Sequence, residues 1–331
     1  MKYSFIVPTY NSQKWIRQSI ESVLKQTNDK FEIIILDDCS TDGTVEWLRS
    51  LNDNRITIYP SEKRLGIVQN WARILTVPKK QFMTILGHDD VLYPDYLSVI
   101  DDLIKKHPEA SVYQTHFNFI DEKGDIIRSC AAMENKILPE KFLADVLKNK
   151  IEITGTGFMM RSTDYDRVGG IPGYPNLLYA DIELMMELVR MNYLAVAMEK
   201  TFEFRFHIHN TSKAGGEKRL QAFEKLILYL KKLETEDSKY KPVIQDNVEY
   251  FLNSYVVGAC HKLLYIPRQN REGITFSRIV NDAKKAAFVL APALTFDPDK
   301  LKGIVLAKLI DSNAVTRRLF LFIKSFKKRT F

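Results

Sequence analysis

Phe31-Glu32-Ile33-Ile34-Ile35-Leu36-Asp37-Asp38 places five apolar residues in six positions and then two aspartates. A strand apolar on both faces is buried on both, as in a parallel sheet covered by helices. The aspartates then stand at its carboxyl end, the edge where open α/β sheets bind ligands. Upstream, residues 3–7 form a short aromatic and β-branched strand ended by Pro8. Trp15/Ile16, Ile20 and Val23/Leu24 recur about four apart and predict a helix, with Asn11 or Ser12 to cap it. Downstream, Ser40-Thr41-Asp42 offers caps for a helix through Val45, Trp47 and Leu48. Residues 56–59 read as a third strand, 66–75 as a third helix and 82–86 as a fourth strand. Pro94 sits at a first helical position and opens a helix over 96–106. Repeated β-α units of this length predict a doubly wound α/β sheet.

The pattern changes after Ala110. Residues 112–120 read as a strand, 123–125 as a turn and 155–160 as a glycine-bearing apolar segment. Residues 181–191 form a helix with Leu184, Leu188 and Met191 on one face, and 193–207 run out as strand. Beyond Gly215-Gly216 the chain is mostly helical, with Leu220, Phe223, Ile227 and Leu230 at three and four. The expected organisation is therefore a catalytic domain over 1–214 and a helical region over 215–331.

Composition narrows the function classes. The 331 residues carry 48 Lys and Arg against 41 Asp and Glu, a net charge of +7. The longest uncharged apolar stretch, 286–296, is interrupted by Pro292, whereas a spanning helix needs ~20 residues. Phe5-Ile6-Val7 is short for a secretory signal. Cys39, Cys130 and Cys260 are odd in number and far apart, which points to a reducing compartment and away from a zinc knuckle. No Gly-x-Gly-x-x-Gly follows the first strand and no Gly-Lys-Ser/Thr loop occurs, which disfavours nicotinamide dehydrogenases and P-loop NTPases.

Three strand ends hold the candidate chemistry: Pro8-Thr9-Tyr10-Asn11, Asp37-Asp38 and His88-Asp89-Asp90. Asp37-Asp38 is either a polar lead-in to the Ser40/Thr41 cap or an acceptor for a ring N–H of a nucleotide base. Asp89-Asp90 precedes Tyr93-Pro94, so neither caps the next helix. Adjacent carboxylates on a loop suit a hard divalent cation whose other ligands are water and a diphosphate.

Taken in order, these motifs resemble the family 2 glycosyltransferases, which have the nucleotide-sugar-binding GT-A fold. The resemblance rests on Val7-Pro8-Thr9-Tyr10-Asn11, the stretch 32–44, Leu65-Gly66-Ile67-Val68 with Asn70-Trp71, Leu86-Gly87-His88-Asp89-Asp90 and the Val168-Gly169-Gly170 turn, and covers about 3–212. It implies that Pro8, Thr9 and Tyr10 cradle base and ribose, that Asp38 pairs with the base, and that Gly66 and Asn70 lie at the donor site. It implies a ribose contact for Asp89 and a metal ligand, Mn²⁺ or Mg²⁺, in Asp90. His88 departs from the first aspartate of the usual Asp-x-Asp. In such enzymes a Glu-Asp pair opening a helix supplies the base. Here Ala180 replaces the Glu, so the expected base is Asp181, with helix capping as the competing role and Glu183 as the second candidate. Phe204-Arg205-Phe206-His207-Ile208-His209 resembles the closing strand, with Arg205 and His207 toward the diphosphate and His207 also a metal contact. A zinc role for His207 and His209 lacks a third ligand. Thr154-Gly155-Thr156-Gly157 is either a tight turn or a place where backbone meets sugar or acceptor.

The implied activity is inverting, metal-dependent sugar transfer from a UDP- or dTDP-linked donor to a glycan or lipid-linked acceptor in surface-polysaccharide assembly. The competing functions are a sugar nucleotidyltransferase and an inactive scaffold. Six of the seven net charges follow Asp311, interleaved with Leu319, Phe320, Phe322, Ile323 and Phe326. Such a basic amphipathic helix suits an anionic membrane face, and with no nucleic-acid motif present it implies a cytoplasmic protein peripheral on the inner face of the membrane.

Overall fold

The computed structural model describes residues 2–206 and 216–327. It divides into two compact units, Met1–Phe142 with Ile151–Asn210 and Leu143–Lys150 with Thr211–Phe331. The chain passes between them at 142–143, at 150–151 and at 210–211, the last of these outside the described residues. The short segment Leu143–Lys150 has no counterpart in the sequence reading.

The first unit is built from β1 (Tyr3–Thr9), α1 (Ile16–Leu24), β2 (Phe31–Asp37), α2 (Thr44–Ser50), β3 (Ile56–Pro60), α3 (Ile67–Ala72), β4 (Phe82–Ile85), β5 (Val91–Leu92) and α4 (Tyr96–Lys106). It continues with β6 (Val112–Ile120), β7 (Ile126–Ser129), β8 (Lys136–Ile137), α5 (Pro139–Leu147), β9 (Met159–Arg161), α6 (Ser162–Arg167), α7 (Ala180–Val189) and β10 (Leu194–Arg205). One sheet runs in the order β3-β2-β1-β4-β9-β6-β10-β5, with β7 beside β6 and β8 beside β10. The β3-β2-β1-β4 block is parallel, and every residue of β1 is buried between helical layers. Val7 lies opposite Ile35 and Thr9 opposite Asp37, so the loops after β1 and β2 leave the sheet side by side. Beyond β4 the sheet is mixed, because β9 runs antiparallel to both β4 and β6. Strands β5, β8 and β9 are two or three residues long, too short for periodicity to mark them.

Helix entry differs from the expected side-chain caps. Trp15 is the N-cap of α1, and the Ser12 carbonyl, not its hydroxyl, accepts from the Trp15 and Ile16 N–H groups. Ser12 Oγ instead accepts from Thr9 Oγ1 at 2.7 Å. Gly43, at φ +86°, caps α2, while Asp42 accepts from Thr44 N and Gln13 N and so ties the first two loops together.

The second unit holds α8 (Glu217–Glu236), α9 (Tyr240–Tyr265), α10 (Phe276–Leu290), α11 (Lys302–Asp311) and α12 (Ala314–Lys327). Its core joins Val256, Cys260, Leu263 and Leu264 to Ile279, Val280 and Ala283 and to Ile304 and Ala307. Phe223 stacks on Tyr255, and Arg271 holds Asp311 through two contacts of 2.8 Å. No described helix is long and apolar enough to cross a membrane.

Candidate active site

The loops after β1 and β2 lock each other. Asn11, at φ +44°, donates its N–H to Ser40 Oγ at 2.9 Å and accepts from Thr41 N at 2.8 Å. Of the three predicted cradle residues, Pro8 is buried within β1 and Thr9 turns its hydroxyl inward to Ser12. Tyr10 is half-buried, and the exposed Arg64 guanidinium lies 4.1 Å from its ring centre. That cation–π pair is a flat, positive face beside the loop. Arg64 was not singled out from sequence, because nothing local to it signals a partner 54 positions away in the chain.

Asp38 and Asn70 have work inside the protein. Asp38 is buried and accepts from the backbone N–H of Leu65 at 2.6 Å and Gly66 at 2.9 Å. It therefore clamps the turn into α3, and the pairing with a base that the motif implies would use the lone pairs these two N–H groups leave. Gly66 supplies φ +84° there, with open space where a Cβ would stand. The Asn70 amide donates to the Leu36 carbonyl at 2.8 Å and accepts from Arg73, and Arg73 donates in turn to the Asp37 and Tyr59 carbonyls. Asn70 is thus a buried tie between α3 and β2.

The acidic loop after β4 is the most constrained part of the site. Asp90 is buried; its Oδ2 accepts from the Thr156 hydroxyl at 2.6 Å and its Oδ1 from the Arg205 backbone N–H at 2.9 Å. Burial, and then the charge of Asp89, push Asp90 up to about 8. A methyl group at Gly87 would lie 2.5 Å from Asp90 Oδ2 and 2.8 Å from Asp89 Oδ1. Two carboxylate oxygens therefore converge over a glycine that admits no side chain, an arrangement that fits a hard cation. Among the described residues no group of three or more His, Cys, Asp and Glu side chains converges, so most ligands of any cation come from outside the protein.

The Arg205 side chain, expected toward the diphosphate, is engaged with acceptors inside the protein. It is buried, and its guanidinium donates to the Asp89 carbonyl at 2.7 Å, the Asp121 carbonyl at 2.9 Å and Gln18 Oε1 at 2.7 Å. It staples the acidic loop to the end of β6 and to α1. His207 and His209 lie outside the described residues.

Asp181 stands in the first turn of α7, after a run of left-handed residues at Asn176, Leu177 and Tyr179. Tyr179 is the N-cap and makes no side-chain cap bond. The Asp181 carboxylate accepts from the neighbouring Ile182 N–H at 3.0 Å. Desolvation raises it to about 6, against the smaller opposing pull of backbone N–H groups. Glu183, the second candidate, accepts from the Tyr174 hydroxyl at 2.5 Å.

The segment 154–157 connects the two acidic centres. Thr156 holds Asp90, while a Cβ at the adjacent Gly155 would lie 3.9 Å from Asp181 Cβ and 4.0 Å from Trp71 Cη2. Gly155 thus floors a slot between the Trp71 ring and Asp181. Gly157 has a different reason to be glycine: φ is +83° and a methyl would sit 2.4 Å from the Phe202 ring. The segment is a close approach of backbone at both glycines, and the tight-turn reading alone does not account for Gly155.

Residues 4–169 match the model of glycosyl transferase family 2. Glycosyltransferase GlyG of Streptococcus pneumoniae is 28% identical over 124 residues, which are 37% of this chain and 41% of GlyG. The crystal structure of TarS 1-349 from S. aureus in complex with UDP-GlcNAc superposes with a TM-score of 0.64 at 16% identity, covering 94% of this chain and 91% of that one. The mannosyltransferase PcManGT of Pyrobaculum calidifontis, in complex with GDP-Man and Mn²⁺, gives a TM-score of 0.50 at 16% identity over 96% of this chain and 82% of its own.

Proposed function

We propose, from the premise that the chain belongs to glycosyl transferase family 2, that it moves a sugar from a UDP- or dTDP-linked donor to a hydroxyl of a glycan or lipid-linked acceptor, with inversion at the anomeric carbon. The chain is a glycosyltransferase of the GT-A fold; the donor, the acceptor and the stereochemistry are the proposed part. The observation that carries it is the contact of one short segment, Gly155-Thr156, with both Asp181 and Asp90. A base and a diphosphate-binding acid must flank the same anomeric carbon, and this segment puts them on either side of one slot.

In this reading Tyr10 and Arg64 supply the face on which the base lies. Asp38, Asn70 and Arg73 hold the α3 turn that borders it. Asp89 meets the ribose, and Asp90, oriented by Thr156 and the Arg205 N–H, is the acid on the diphosphate side. A divalent cation held there would neutralise the diphosphate as it leaves. Gly155 leaves room for the acceptor, with the Trp71 ring as one wall. Asp181, ionised above about pH 6, takes the proton of the acceptor hydroxyl as that oxygen attacks the anomeric carbon. A role in surface-polysaccharide assembly is part of the same proposal. The bridging layout also speaks against an inactive scaffold, since a buried carboxylate raised to about 6 would serve no packing purpose.

The decisive experiment is Asp181→Asn with UDP calorimetry beside a transfer assay. UDP affinity should stay within about twofold while transfer falls by roughly 10²–10⁴, the usual contribution of a general base. Wild-type turnover in that variant would end the assignment.

A further inference from the structure

The outer surface of the second unit is unusually apolar. On α12, Val315 is 75% exposed, Leu319 57%, Phe322 60% and Ile323 50%. At about 100° per residue these four fall within roughly a third of a turn, one coherent stripe. The opposite side of the helix already has its partners. Phe320 packs against the His261 and Tyr265 rings, and Arg317 donates to the Leu264 and Ile266 carbonyls. Phe320 therefore leaves the five-residue apolar face expected from the sequence and becomes part of the core. Helix α11 repeats the arrangement: Ile304 and Ala307 are buried, while Val305, Leu306 and Leu309 are more than half exposed.

Along α12 the charged residues are all cations, whereas beside α11 Asp299 pairs with Lys284 and Lys308. The last acid in the chain, Asp311, is held by Arg271 and lies near Arg268 and Arg317, which keep it below the usual carboxylate range. After it the sequence holds six Lys and Arg and no Asp or Glu. A second copy of this chain would bring the same cations against them, so charge disfavours self-association. An anionic lipid surface meets both needs, taking apolar side chains into the acyl boundary and cations among the headgroups.

We propose that the exposed stripes of α11 and α12 seat this protein on an anionic lipid bilayer. The inference stands on these helices alone and is independent of which sugar, if any, the first unit transfers. It is tested by sedimenting the full chain with phosphatidylcholine vesicles, with and without phosphatidylglycerol. Binding should need phosphatidylglycerol and weaken at high salt. Leu319→Glu with Phe322→Glu should lower the partition coefficient at least about tenfold, since each places a charge where an apolar group was to be buried. Leu228→Glu, an equally exposed site on α8, should leave it unchanged. Should the double variant lose its cooperative melt, Val305→Glu with Leu309→Glu on α11 replaces it and should give the same loss. Equal binding to both vesicle types, or no effect of the α11 and α12 substitutions, overturns the proposal. So does a vesicle-free dimer, seen by sedimentation velocity, that the same substitutions dissociate.

Discussion

Replacing Arg205 with Met separates the role the structure gives this residue from the one its motif suggests. Met keeps most of the apolar stem and removes the guanidinium. Three acceptors then lose their donor: the Asp89 carbonyl, the Asp121 carbonyl and Gln18 Oε1. Hydrogen bonds from a charged donor are worth ~1.5–3 kcal/mol each, but three that share one group do not add. The expected loss is about 3–5 kcal/mol, the range for removing one side of a buried charged interaction. At roughly 2–4 °C per kcal/mol for a unit of this size, Tm should fall by about 6–20 °C. The assay is a thermal melt with UDP titration calorimetry at a temperature where the variant is still folded. UDP affinity should fall only as far as the Asp89 loop loosens, and Arg205→Lys should lie between Met and wild type. A variant with Tm within about 2 °C of wild type but no UDP binding would refute the reasoning and return the guanidinium to the diphosphate.

Three further outcomes follow from the site. If Asp181 is the base, log kcat/KM should rise by about one per pH unit and level off above about pH 6; its folded value lies above the ordinary 3.8, so the ionised form costs stability there. Asp181→Asn should therefore raise Tm at pH 7.5, and the gain should shrink below about pH 6 and vanish by about pH 3, where the carboxyl is protonated in both states. Gly155→Ala meets only ordinary contacts at 3.9–4.0 Å, so Tm should hold while acceptor KM rises several-fold and UDP affinity stays put; unchanged acceptor kinetics would show that the slot is not used. Gly157→Ala should cost about 2–4 kcal/mol through its positive φ and the clash with Phe202, read as a lower denaturation midpoint.

Much of the first unit was legible because its elements are long and periodic. Helix α4 and strand β6 match the sequence reading end to end, since Tyr96, Leu97, Ile100, Leu103 and Ile104 repeat at helical spacing and residues 112–120 are rich in β-branched and aromatic side chains. Strands β5, β8 and β9 went unread because two or three residues carry no period. The site residues divide along another line. Motif position placed Asp38, Asn70 and Arg205 near the ligand edge, yet it could not tell a side chain that faces a ligand from one that holds the loop in place. Polar groups at a buried strand end must find partners, and here the partners are backbone N–H and carbonyl groups from distant loops. Arg64 shows the reverse case, an unremarked surface residue brought onto Tyr10 by folding.

The net charge of +7 followed from the sequence alone, as did the placement of six of those charges after Asp311, because formal charge does not depend on conformation. So did the α/β character of the first unit, because burial on both faces of β2 is written in its composition, and the family, because the order of short motifs along the chain carries it. The tertiary structure decided which partners each acid meets. It spent both oxygens of Asp38 on the Leu65-Gly66 turn, closed Asp90 behind Thr156 and Arg205, and left Asp181 desolvated beside Gly155. It also turned Phe320 inward and left Leu319 and Phe322 outward. Each of these depends on neighbours far away in the chain, so the direction a side chain faces is fixed only once the fold has closed.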